Sequence, residues 1–223
     1  MNTTFVTASG TGVGKTFVTR LLIEQLRERG TYVDVLKPVV TGFDENDAAA
    51  SDSGVLLTAL GRPLDRSHLD KISPWRFQAP LSPDMAAARE GRSLPYTELV
   101  DYCRNVAGRG ATLIEGVGGV LVPLDNEHTV TDWIAALEVP ALLVTGSYLG
   151  AISHTLTAFE VLKARDIPVC GIIVSESESQ PVAASETALS IERFSNGCPV
   201  VVVPRLHDSV GAPNLLTQLG LSR

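Results

Sequence analysis

The sequence predicts an α/β fold, a parallel sheet of about seven strands with helices on both faces. Three observations predict it. Short runs of Val, Ile and Leu, apolar on both faces, recur along the chain as buried parallel strands do. Amphipathic stretches of helical period alternate with them, which implies right-handed crossovers. A glycine-rich turn ending in Lys15-Thr16 joins the first strand to the first helix.

The elements follow in order. Six strands are expected at Thr4–Ala8, Tyr32–Lys37, Ala111–Glu115, Ala141–Thr145, Val169–Val174 and Pro199–Val203, with Val120–Pro123 as a further short extended piece. Phe17–Arg29 sets Val18, Leu21, Leu22 and Leu26 near one helical face, and Ala151–Arg165 does the same with Ile152, Leu156, Phe159 and Leu162. Weaker helical patterns cover Ser53–Leu60, Tyr96–Ala107, Val130–Leu137 and Ala184–Phe194. Gly61–Leu81 is the least periodic stretch. Its Pro63, Pro74 and Pro80 read as irregular chain, while Trp75 and Phe77 read as packed, so it is expected to lie across the site.

Composition narrows the functional classes. The 223 residues suit one α/β domain, 1–223, with a sizeable core. Hydrophobic residues make up 44% and charged residues 19%, which is globular rather than disordered. A net charge of −7 with no basic run argues against nucleic acid as a partner. Any anionic ligand must then be held by local devices such as helix N-termini and single lysines. No signal-peptide pattern opens the chain and no long apolar run spans a membrane, so a cytoplasmic protein is expected. Cys103, Cys170 and Cys198 are widely spaced and fit no C-x-x-C pair, so they read as buried thiols in a reducing compartment.

The run Ser9-Gly10-Thr11-Gly12-Val13-Gly14-Lys15-Thr16 follows a strand and opens a helix, the context a P-loop requires. Glycines let the backbone curl so that several N–H groups face an anion. The helix start adds partial positive charge. Lys15 is placed to reach the β- and γ-phosphates of a nucleotide, and the Thr16 hydroxyl to ligate Mg²⁺. Ser9 stands where the strict pattern has its first glycine.

Two further strand ends fall on the same side, beyond the carboxyl edge of the sheet where ligands bind. One carries Lys37-Pro38-Val39-Val40-Thr41-Gly42, and a lysine there neutralises charge during phosphoryl transfer. The other carries Glu115-Gly116-Val117-Gly118-Gly119, and a carboxylate following an apolar strand beside a phosphate site suits Mg²⁺. A solvated lysine and a salt-bridged or helix-capping acid are the structural alternatives. The loop after Lys37 offers Asp44, Glu45, Asp47 and Asp52 as a second carboxylate, and the pattern alone does not choose among them.

Taken together, these blocks resemble the dethiobiotin synthetase family. The resemblance runs nearly end to end and is weakest after Ser175. Beyond the P-loop it rests on Lys37–Gly42, on Pro74-Trp75-Arg76-Phe77 with Ala79-Pro80-Leu81-Ser82-Pro83, on Glu115–Gly119 with Pro123-Leu124, and on Leu149–His154. The lysine-proline block and the Ser82-Pro83 block set it apart from partition-type ATPases of the same fold.

The resemblance implies an ATP-dependent ring closure on 7,8-diaminononanoate. One amine is carbamylated by CO₂, the carbamate oxygen attacks the γ-phosphate of ATP, and the second amine displaces phosphate. It implies Lys15 and Lys37 flanking the transferring phosphoryl group, with Thr11 and Thr41 hydrogen-bonding carbamate or phosphate oxygens. Thr16, Asp52 and Glu115 hold Mg²⁺, with Asp47 as the alternative to Asp52. Gly10, Gly12, Val13, Gly14, Glu115, Gly116, Ser175, Pro204, Arg205 and Leu206 contact the nucleotide. Thr41, Gly118, Gly150 and Ser153 face the diamine substrate, in a homodimer. Serine at 175, where the family often has asparagine, offers one hydroxyl in place of a paired donor and acceptor. The competing expectation is a P-loop nucleotide-dependent switch or partition-type ATPase. Such proteins often carry an extra lysine early in the loop, and this chain has none between Thr7 and Val13.

Overall fold

The computed structural model describes residues 3–106, 110–206 and 210–221. Its main sheet has six strands: β1 (Thr3–Ala8), β2 (Val33–Leu36), β5 (Ala111–Glu115), β6 (Ala141–Thr145), β7 (Val169–Ser175) and β8 (Val200–Val203). They lie in the order β2-β5-β1-β6-β7-β8, with every neighbouring pair parallel. The order reverses around β1, so the loops after β1, β2 and β5 open onto one crevice.

The strands are apolar on both faces because both are covered. Phe5, Leu36, Ile114, Leu143, Ile172 and Val174 point into one core, with Trp133 and Leu162. Val6, Val35, Leu113, Leu142, Val144 and Ile173 point into the other, with Leu22, Leu26 and Leu56. Strand alternation divides the two sets. Helices α1 (Lys15–Glu28), α2 (Asp52–Leu60) and α9 (Leu215–Gln218) cover the second face. On the first lie α4 (Pro83–Arg89), α5 (Tyr96–Val106), α6 (Val130–Leu137), α7 (Ala151–Ala164) and α8 (Ala184–Glu192). Ala107, the expected end of α5, lies outside the described residues.

Three local expectations are corrected. Val120–Pro123 is a turn rather than a strand, with Pro123 making a lone antiparallel bridge to Thr129. Gly61–Leu81 is not irregular throughout, since it holds α3 (Arg66–Ile72) and β4 (Trp75–Phe77). Asp65 caps α3 by accepting the His68 N–H, and β4 finds its partner in β3 (Val39–Thr41), directly after Lys37. The resulting two-stranded parallel ribbon sits beside the main sheet. The seven-residue helix α4, which follows it, was also not expected. Its first turn carries Pro83, whose missing N–H costs nothing at that position.

Candidate active site

The phosphate loop is built by β1 feeding α1. Gly14 caps α1 at φ 93, and a Cβ there would stand 2.6 Å from Ser175 Oγ, so only glycine fits. Gly119 passes so close that a Cβ would lie 3.2–3.3 Å from backbone atoms of Ala8, Ser9 and Gly10. Ser9, in place of the usual glycine, donates its hydroxyl to Thr145 at 2.8 Å. Its side chain is therefore taken up by the neighbouring strand β6.

Around this loop, residues from five separate segments come together. A cavity of about 660 Å³ is lined by Thr11, Gly12, Gly14, Lys15, Thr16, Lys37, Thr41, Asp52 and Gly118, among others. Lys37 follows the end of β2 and is only 2% exposed. Its ammonium donates to Glu115 Oε1 at 2.7 Å and to the Gly116 carbonyl at 2.9 Å, and pairs with Asp52 Oδ2 at 2.8 Å. Thr16 Oγ1 lies 2.8 Å from both Asp52 Oδ1 and Glu115 Oε1. The Lys15 ammonium donates to the Gly118 carbonyl at 2.8 Å.

The electrostatics follow from this packing. Burial, then the charge of Lys37, lowers Lys15 to about 8. Burial also works against the charged form of Lys37, but the Glu115 and Asp52 carboxylates overcome it and hold that ammonium above its ordinary value. Burial opposes the Asp52 carboxylate too, and Lys37 outweighs it, keeping Asp52 below the usual range.

Glu115 is fully buried, and its Oε2 has no hydrogen-bond partner. An orphaned carboxylate oxygen beside a second acid and a hydroxyl is a donor set that fits a small hard cation. Among the described residues no group of three His, Cys, Asp or Glu forms a metal cluster. Mg²⁺ needs no such cage, because it keeps waters and phosphate oxygens as ligands. Asp52 enters the site from the first turn of α2. Asp47 lies in a 3₁₀ turn, Glu45–Asp47, facing a different cavity.

A second, smaller cavity of about 140 Å³ adjoins the loop and is lined by Gly12, Val13, Gly14, Phe17, Ser175, Pro204, Arg205 and Leu206, with Glu176 and Ser177. The carboxyl ends of β7 and β8 build its far wall. Glu176 accepts the Arg205 N–H at 2.9 Å, and that bond, before any other influence, lowers its carboxyl.

Gly150 and Ser153 do not line either of these cavities. They lie at the exposed start of α7, beside Leu149, which is 84% exposed. Pro80 and Leu81, the end of the segment expected across the site, line the larger cavity together with Ser82 and Pro83, none of them expected individually as a site residue. Their signal was the proline-rich block after Phe77. Glu176 and Ser177, in the smaller one, carry no local motif.

A family model described as an AAA domain matches residues 2–212. The ParA family ATPase of Chlorobium tepidum superposes with a TM-score of 0.55 at 15% identity, covering 94% of this chain and 86% of that one. At that identity the likeness is one of fold. Sequence relatives say more. The ATP-dependent dethiobiotin synthetase of Acidiphilium cryptum is 46% identical over 87% of this chain and 89% of its own. That of Methylobacterium nodulans is 45% identical over 92% and 94%. With that identity spread over nearly the whole of each chain, this protein belongs to the ATP-dependent dethiobiotin synthetase family.

Proposed function

We propose that this chain is an ATP-dependent dethiobiotin synthetase, a ligase that joins CO₂ (or bicarbonate) to 7,8-diaminononanoate and closes the ureido ring at the expense of ATP. The observation that carries the reading is the meeting of two lysines, Lys15 and Lys37, with Thr16 and Asp52 around one cavity, backed by the buried Glu115 on Thr16 and Lys37.

The backbone N–H groups of Gly12 to Thr16 cradle the phosphates. Lys15 addresses their oxygens from the helix start, and Lys37 from the end of a neighbouring strand. As a carbamate oxygen attacks the γ-phosphorus, charge accumulates on the transferring group, and both ammonium groups neutralise it. Thr11 and Thr41 donate hydrogen bonds to carbamate and phosphate oxygens. The second amine then closes the ring and phosphate leaves. The two amines are already adjacent on the diamine, so orienting the second toward the activated carbonyl carbon does most of the remaining work.

Thr16, Asp52 and Glu115 hold Mg²⁺, which when bound draws charge from the phosphate oxygens. Gly116 lies at the phosphate end, and Ser175, Pro204, Arg205 and Leu206 form the base pocket. We place the carboxylate end of the diamine between Gly118 and the α7 start of a partner subunit, where Gly150 and Ser153 lie. The working unit is then a homodimer, and the exposed Leu149 gives its interface an apolar centre. Among the described residues no helix is long and apolar enough to cross a membrane, and we assign the enzyme to the cytoplasm.

Phosphate release from MgATP tests the reading. Release should require both 7,8-diaminononanoate and bicarbonate, with dethiobiotin formed in equal amount. Hydrolysis at the same rate without the diamine would overturn it in favour of a nucleotide-dependent switch.

A further inference from the structure

A hydrogen-bond chain outside the phosphate loop ties three strand-end loops together. Ser147, in the turn after β6, is fully buried. Its N–H donates to Ser177 Oγ at 3.0 Å, and its own Oγ accepts the Ser177 N–H at 2.9 Å. Having accepted there, the Ser147 hydroxyl spends its one proton on Gln180 Oε1, at 2.5 Å. The orientation of the Gln180 amide follows. Its Nε2 donates to Glu176 Oε1 at 2.7 Å, because a carboxylate offers only acceptors. The other oxygen of Glu176 takes the Arg205 N–H.

Each link is specified, and the chain ends on the wall of the smaller cavity, where Glu176, Ser177 and Arg205 stand opposite Gly12–Gly14. Gln180 does not itself line that cavity. We propose that Gln180 is a positioning residue for the nucleotide base. It holds Glu176 in the rotamer that pins the Arg205 backbone, and so fixes the Pro204–Leu206 wall. Ser147 anchors it from the turn after β6, the strand that also receives the Ser9 side chain. A wall held by consecutive hydrogen bonds from Ser147 to Arg205 is stiff, and a stiff wall lowers the ordering cost when a planar ring enters. The proposal rests on the nucleotide reading of the two cavities.

The test compares two probes on the full chain, MgADP and magnesium pyrophosphate, by calorimetry. Pyrophosphate fills the phosphate loop but leaves the base pocket empty. Gln180→Leu should weaken MgADP about ten-fold, the scale of one or two lost hydrogen bonds, and leave pyrophosphate unchanged. Glu176→Ala should do the same, and the double variant should be no worse than Glu176→Ala alone, since both act on one wall. Equal loss for both probes would make Gln180 a general scaffold residue and overturn the proposal, as would no loss for either. A wild-type protein that binds MgADP no better than pyrophosphate would remove the base pocket and the proposal with it. Failure to bind pyrophosphate at all would instead strike the phosphate-loop reading.

Discussion

A lysine that is 2% exposed must have its charge answered, and Lys37 is answered twice, by Asp52 and by Glu115. Removing the cation leaves two carboxylates facing each other, one of them fully buried. Breaking a buried pair in this way costs on the order of 3–5 kcal/mol. Lys37→Met is therefore expected to unfold at markedly lower urea concentration in EDTA and to recover much of the loss in millimolar Mg²⁺. Equal urea midpoints in EDTA and Mg²⁺ would count against Asp52 and Glu115 as metal ligands. Lys15, Thr16, Lys37 and Glu115 were legible in the sequence because each stands in a short motif at a strand end. Asp52 was not legible from the pattern itself, since four acids share that loop and only the family resemblance chose among them. In the fold Asp52 starts α2, with Ser51 accepting the Gly54 N–H as cap, and lies beside Lys37 and Thr16.

At the scale of elements, the ribbon of β3 and β4 carries Thr41 to the cavity, and the chain running on from it brings Pro80–Pro83 to the same cavity. Phe77 locks this ribbon into the core at 1% exposure, under the Arg92 guanidinium. Phe77→Ala should cost about 3–5 kcal/mol of stability. Because Thr41 pairs with Phe77 in register, the KM for the diamine should also rise more than that for ATP. Chemical denaturation and steady-state kinetics check the two parts. Equal changes in both KM values would show that the ribbon does not position the substrate side. The main strands and long helices could be read because period and length agreed. The ribbon could not, because its strands are three residues each and their pairing joins Val39 to Trp75, far along the chain. Gly61–Leu81 reads as irregular for the same reason. Its helix α3 is only seven residues long and is marked mainly by its Asp65 cap.

Across the whole molecule, the two cores account for the cysteines. Cys103 is buried against the first core, and burial pushes its thiol up to about 12. Cys170, in β7, packs on the second core and Cys198, just before β8, on the first; both are half-buried, where the sequence predicts buried thiols. Burial raises them to about 12 and about 11. The thiolate is the reactive form, so at pH 8 only about one thiol in a thousand or fewer is available. Native protein should react slowly with a disulfide reagent at pH 8, and all three thiols should react at once in denaturant. Rapid labelling of the folded chain would contradict this account of the packing. If Lys37 acts on the phosphoryl group in flight, its removal must slow the transfer itself. The most direct measurement is single-turnover phosphoryl transfer by Lys37→Gln at saturating MgATP, diamine and bicarbonate. The rate should fall by about 10²–10³ with MgATP affinity changed only a few-fold; transfer at the wild-type rate would rule out that role for Lys37.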